Sequence, residues 1–252
     1  MIRLENISKI FNRNQPGEVA ALSGINLEVS AGEFLVVIGA NGSGKTTLLN
    51  LIAGSDSPTE GTIHIAGENV TKLPDYRRSR YVARVFQNPL MGTASELTIL
   101  ENFRLAALRT KSKTLKQGVT KNFSEFVSHH VSILNMGLEK NLNRQMGSLS
   151  GGQRQALTLM MCVVADTRVL LLDEPTAALD PRSAAFIINT AEKIIKENKL
   201  TAVFITHNLK DAAQYGDRLI QMAEGRIIRD TSSQKNQLSL QEMVQWFEEP
   251  VA

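Results

Sequence analysis

Gly39-Ala40-Asn41-Gly42-Ser43-Gly44-Lys45-Thr46 is the stretch that decides the fold. It satisfies the pattern G-x-x-x-x-G-K-[ST], and both flanks suit it. An apolar run over residues 34–38 leads in, and Leu48, Leu49 and Ile52 recur at helical spacing on the way out. Strand, glycine-rich turn and helix together let backbone N–H groups face inward around phosphate oxygens, with the helix dipole adding to the attraction. An incidental glycine-rich turn would not carry both flanks. Gly39, Asn41, Gly42, Ser43 and Gly44 are therefore expected to form a phosphate cradle. Lys45 should reach the β- and γ-phosphates, the Thr46 hydroxyl should ligate Mg²⁺, and Thr47 should touch the α-phosphate.

A phosphate cradle needs a second metal anchor and a group that positions water. Residues 169–172 are continuously apolar and end in Asp173-Glu174. A buried parallel strand would deliver both carboxylates at the carboxyl edge of a sheet, where ligands sit in wound α/β folds. Asp173 is the expected Mg²⁺ ligand, directly or through water, and Glu174 the base that polarises water. Further β-like runs cover 25–29, 62–65, 202–206, 218–222 and 226–228. A helix is expected from 181 to about 198, with Asp180 as its N-cap and Pro181 at its first position. Strand, helix and strand in that order predict parallel pairing and an α/β fold. Between about 98 and 164 the spacing is helical, with a basic loop near Lys111-Ser112-Lys113. This is expected to be a helical subdomain, about 91–164, inserted into a single domain spanning 1–252.

Composition removes other classes. The 252 residues are 42% hydrophobic and 21% charged, with a formal net charge of +3 and only 5% aromatic residues. No basic stripe interleaved with aromatics is present, so no nucleic-acid partner is expected. Cys162 is the single cysteine, which rules out an internal disulfide and suits a small buried hydrophobe. No apolar stretch approaches the ~18 residues of a membrane span, and the N-terminal residues lack the apolar run of a signal peptide. Near the C-terminus, Ser239 to Glu242 has capping-box spacing, and Leu240, Met243, Val244 and Phe247 form a helical stripe expected to pack on the same domain.

Leu149-Ser150-Gly151-Gly152-Gln153, followed by Arg154-Gln155-Ala156, is a second phosphate-type feature. A hydroxyl and two glycines open a helix expected from about 153 to 164, and one chain does not need two cradles for one nucleotide. This pentapeptide resembles the signature sequence of ABC ATPases. The resemblance covers most of the chain, from Leu4 to about Ile228. It implies a P-loop NTPase wound-sheet core with an inserted helical subdomain and an antiparallel β subdomain. It also implies a dimer in which Ser150, Gly151, Gly152 and Gln153 close over ATP held by the other subunit. Gln87 matches the Q-loop glutamine that contacts metal and water. Asp180, in Ala178-Leu179-Asp180, matches the D-loop at the dimer interface, and His207 matches the switch histidine that contacts the γ-phosphate. Phe11 falls where the family places an aromatic against adenine. One departure is Ala177-Ala178, where many members carry serine before the Leu-Asp pair.

The same resemblance implies transmembrane permease subunits docked near residues 87–104, a location on the cytoplasmic face of the membrane, and an extracytoplasmic solute-binding protein. The stretch Arg84 to Thr93 and the run Leu171 to Asp180 look most like ATPases of bacterial amino-acid uptake, the tryptophan/tyrosine importers among them. Two alternatives stay open: the ATPase of an export or lipoprotein-release system, and a soluble ABC protein acting on ribosomes or DNA. A single cradle, a single signature and no sustained heptads argue against the latter.

Overall fold

The computed structural model describes residues 1–110, 118–165, 167–231 and 238–248. The basic loop at Lys111-Ser112-Lys113 lies outside the described residues. The elements run β1 (Ile2–Phe11), β2 (Val19–Val29), β3 (Phe34–Ile38), α1 (Lys45–Ala53), β4 (Glu60–Ile65), β5 (Glu68–Asn69), α2 (Asp75–Arg78) and β6 (Val82–Val85). They continue with α3 (Ile99–Ala107), α4 (Lys121–Ser132), α5 (Gly151–Val164), β7 (Val169–Asp173), α6 (Pro181–Glu197), β8 (Thr201–Ile205), α7 (Leu209–Gln214), β9 (Arg218–Ala223), β10 (Arg226–Asp230) and α8 (Leu240–Glu248).

Two sheets divide the strands. The larger has the order β10-β9-β3-β8-β7-β6, parallel from β9 to β6 with β10 antiparallel at its edge. The smaller, β2-β1-β4-β5, is antiparallel throughout. A parallel core and an antiparallel subdomain are what the resemblance implied. The central strands show why their sequences are continuously apolar: a strand covered on both faces has no polar side. In β3, Phe34, Val36 and Ile38 face the helices, while Leu35 and Val37 face α1 and the smaller sheet. In β7, Leu170 and Leu172 part from Val169 and Leu171 in the same way. β6 and β7 are adjacent in the sheet, with Val82 opposite Val169, so α3, α4 and α5 lie on the excursion between two neighbouring strands.

Local rules set the element ends. Asp180 caps α6 by accepting from the N–H groups of Arg182 and Ser183, and Pro181 takes the first turn. Thr98 and Glu101 form a reciprocal cap on α3. Helix α5 starts at Gly151 rather than near 153, because the Ser150–Gln153 capping box brackets both glycines into the first turn. Strand β1 is not among the β-like runs expected from the sequence. Its register shifts repeatedly against β2, and Asn6 has φ 50°, which interrupts the alternation. The α8 stripe is also narrower than expected: Met243 is fully buried, but Leu240 and Val244 are exposed. Instead Trp246 takes the Arg229 guanidinium over its ring at 5.0 Å.

An unforeseen support stands under α1. Arg78 is completely buried, and its guanidinium donates to the carbonyls of Leu51, Thr71 and Leu73. It thereby satisfies the C-terminal end of the helix that rises from the glycine-rich loop. Cys162 is buried too; burial pushes its thiol up to about 11, and it donates to the Thr158 carbonyl.

Candidate active site

The cradle begins where β3 ends. Gly39 has φ 152°, and a Cβ there would lie 2.3 Å from the Met222 carbonyl oxygen, so only glycine can leave the strand this way. Gly44, at φ 98°, occupies the N-cap of α1, where a Cβ would come within 2.6 Å of the Ala21 carbonyl. A glycine N-cap has no side chain to offer, and no acid occupies the first turn. The opening N–H groups of α1 are therefore left for an external acceptor.

Lys45 turns back into the loop, and its Nζ donates to the carbonyls of Gly39 at 2.8 Å and Ala40 at 2.9 Å. Burial holds its pKa below the usual lysine value, against the opposing pull of Glu174 and Asp173. The Ser43 hydroxyl is buried with no hydrogen-bond partner. A loop with a buried cation, an orphaned hydroxyl and open N–H groups suits a polyanion.

The opposite wall comes from the carboxyl ends of three parallel strands. Gln87 follows β6, Glu174 follows β7 and His207 follows β8. Glu174 Oε2 lies 3.1 Å from His207 Nδ1 and 3.5 Å from Gln87 Nε2. The Glu174 backbone sits at φ 45°, unusual for a residue with a side chain, and its N–H is tied to the Ile205 carbonyl at 3.1 Å. Strain of this kind, held by the sheet edge, fixes where the carboxylate emerges. These three residues and the cradle from Asn41 to Thr47 line one cavity of about 720 Å³. Its remaining sides are Val19 to Ala21 from β2 and the β9–β10 turn at Glu224-Gly225.

Other expected residues lie elsewhere. Phe11 does not line this cavity, although it pairs in register with Val19, which does. The residue is 36% exposed, and its ring carries the Lys9 ammonium at 4.7 Å. Asp173 is buried behind the cavity wall, where its carboxylate pairs with Arg84. Ser150, Gly152 and Gln153 face a second cavity of about 380 Å³, shared with Arg182, Ser183 and Phe186. There Ser150 Oγ accepts from the Gln153 N–H at 3.3 Å, and Gln153 Oε1 accepts from the Ser150 N–H at 3.2 Å. Gly151 packs beside Leu179, and Asp180 is engaged as the cap of α6.

Two residues quoted in the sequence motifs carry a role that the sequence did not assign them. Gln155, buried in α5, donates to the carbonyls of Phe86 at 2.8 Å and Pro175 at 3.0 Å, which joins the second helix to the segments carrying Gln87 and Glu174. Its only trace in sequence is an amide on an apolar helix. Arg84, in β6 three residues before Gln87, was read only as the first residue of a resembling stretch.

Among the described residues, no group of three or more His, Cys, Asp or Glu side chains could cage a metal ion. The Thr46 hydroxyl and the Gln87 amide line the cavity and suit a hard cation that takes most of its oxygens from phosphates and water, whereas the Asp173 carboxylate stands behind them on Arg84.

Comparison with known proteins agrees with this fold. The family model described as "ABC transporter" matches residues 22–177. A tyrosine transport ATP-binding protein of Clostridioides difficile (strain R20291) is 38% identical over 249 residues, 98% of this chain and 99% of that protein. The thiamine import ATP-binding protein ThiQ of Salmonella choleraesuis (strain SC-B67) is 40% identical over 201 residues, 80% of each chain. Among solved structures, a dimeric ATP-binding cassette in a post-hydrolysis state, bound to ADP and Pi, superposes with a TM-score of 0.78 at 28% identity. That match covers 91% of this chain and 97% of the other.

Proposed function

The chain belongs to the ABC transporter family of ATP-binding proteins, and on that premise we propose that it is the ATP-hydrolysing subunit of an amino-acid importer, with tyrosine or a close analogue as cargo. ATP hydrolysis is its reaction. The observation that carries the site assignment is the convergence of Gln87, Glu174 and His207 on one cavity across from the cradle.

ATP lies with its phosphates on the open N–H groups at the start of α1. Lys45 exchanges its two carbonyl partners for β- and γ-phosphate oxygens, and Thr47 approaches the α-phosphate. Thr46, Gln87 and Asp173 are the residues that would hold magnesium, which neutralises charge on the phosphate oxygens when bound. With Oε2 of Glu174 held by His207 and Gln87, Oε1 is free to accept a proton from the attacking water. His207 fixes that carboxylate and turns toward the γ-phosphate.

The second cavity is the other half of the machine. Ser150, Gly152 and Gln153 of one copy close over the nucleotide of a second copy, with Asp180 beside the seam. Loss of the γ-phosphate removes contacts made only in the closed dimer, so hydrolysis reopens it. No described helix is long and apolar enough to cross a membrane. The force must reach separate permease subunits, for which the exposed Leu90 and Met91, shortly after Gln87, offer an apolar dock. That arrangement puts the chain on the cytoplasmic face of the membrane, with a solute-binding protein on the far side. The tyrosine-transport and thiamine-import relatives support uptake over export.

Uptake of labelled tyrosine in cells with and without this chain tests the cargo. Loss of tyrosine uptake, restored by the wild type but not by Glu174→Gln, supports the reading. Undiminished tyrosine uptake alongside loss of another solute's uptake would overturn the cargo and leave the ATPase intact.

A further inference from the structure

Asp173, the carboxylate assigned above to magnesium, is already occupied. Its Oδ2 accepts from Arg84 Nη2, and both side chains are only 11% exposed. Arg84 does not depend on Asp173 for its position. Its Nη1 donates to Asn50 Oδ1 in α1 at 2.7 Å, and its guanidinium lies 4.7 Å over the Phe86 ring, next to Gln87. A full positive charge is thus fixed against that carboxylate by an anchor on α1 and by the Phe86 ring of its own segment.

Such a charge has two opposed effects. It pairs with and orients a buried carboxylate, which favours metal binding. It also repels a divalent cation approaching the same group, through a medium that screens poorly. Orientation is the smaller contribution here. Aspartate has a short side chain, and the backbone of Asp173 is already held opposite Ile205 in the β7–β8 ladder. Repulsion therefore prevails. We propose that Arg84 is a positioning residue that competes with magnesium for Asp173: it retains Oδ2 and keeps metal affinity low enough for release with the spent nucleotide. This rests on the assignment of Asp173 to magnesium made above.

Mn²⁺, followed by electron paramagnetic resonance, is the probe, with the full chain and a non-hydrolysable ATP analogue. Arg84→Met keeps the apolar stem and removes the charge. It should tighten Mn²⁺ binding at least about tenfold, the scale expected from a like charge at a poorly screened site. Analogue affinity in EDTA should stay within about twofold, since Arg84 touches no part of the cradle. Arg84→Lys, whose ammonium cannot span Asn50 and Asp173 together, should tighten Mn²⁺ binding by about threefold. Unchanged or weaker Mn²⁺ binding in either folded variant would overturn the competition. If Arg84→Met does not fold, the lysine variant decides the matter alone. Asp173→Asn separates the premise from the inference: if it binds Mn²⁺ as the wild type does, the metal assignment fails and Arg84's role with it.

Discussion

The cradle and the signature segment are two helix N-termini built to opposite rules. At α1 the cap is Gly44, which contributes no side chain, and the loop around it buries Lys45 and leaves the Ser43 hydroxyl without a partner. At α5 the cap is Ser150, reciprocally bonded with Gln153. The first terminus is incomplete until an anion arrives; the second is satisfied by its own side chains. A satisfied helix end has little to gain from a ligand by itself. It adds to binding when another surface brings the phosphate to it, and that division of labour is what a shared site between two copies requires.

Breaking the two ends should give different signatures. The largest effect belongs to the catalytic wall. Glu174→Gln should lower ATP turnover about 10²–10⁴-fold, the usual contribution of a positioned base, with ATP affinity nearly unchanged in equilibrium binding. Lys45→Met comes next: removing a buried cation from a phosphate site should weaken ATP binding to the isolated chain by about a hundredfold. Ser150→Ala should leave that affinity unchanged, lower turnover about tenfold, and cost about 1 kcal/mol of stability through the lost cap, read by chemical denaturation. If Ser150→Ala weakened nucleotide binding as Lys45→Met does, the contrast between the two ends would collapse.

The smallest effect sharpens the comparison at the seam. The Asp180 carboxyl is held below its usual range, chiefly by its hydrogen bonds from Ser183. Because the folded-state pKa is depressed, its contribution to stability is complete above the ordinary carboxylate range and is lost as pH falls through the lowered value. Asparagine caps a helix as well as aspartate does. Asp180→Asn should therefore leave the neutral-pH melting temperature in place and remove one acid-sensitive contribution, while turnover falls severalfold if Asp180 faces the partner copy. Melting curves between pH 3 and 7, paired with turnover, check both parts.

How much of this was legible in sequence depended on range. β3 and β7 could be found because a doubly covered strand is apolar at every position, and α6 announced itself through Asp180-Pro181. The start of α5 was displaced because two consecutive glycines read as a loop until Ser150 and Gln153 are seen to bracket them. β1 was obscured by the left-handed Asn6, which breaks the alternation a strand is recognised by. At the site, the local pattern from Gly39 to Thr46 and the acid pair after β7 were visible. What joined them was not. Arg84 reaches Asn50 and Asp173 across the sheet, and Gln155 reaches Phe86 and Pro175 from another helix. Contacts between residues far apart in sequence leave no spacing to read, so these appeared only in three dimensions. Phe11 shows the converse: its position in sequence suggested adenine, yet its ring carries Lys9 and lies outside the cavity lining.

The central claim is that ATP joins the cradle of one copy to the signature segment of another. Sedimentation of the full-length Glu174→Gln chain with Mg·ATP, and separately with Mg·ADP, tests it most directly, because this variant retains the γ-phosphate. The account predicts a dimer with ATP, a monomer with ADP, and no ATP-dependent dimer when Ser150→Arg is added. A monomer under both nucleotides, or a dimer indifferent to Ser150, would contradict it.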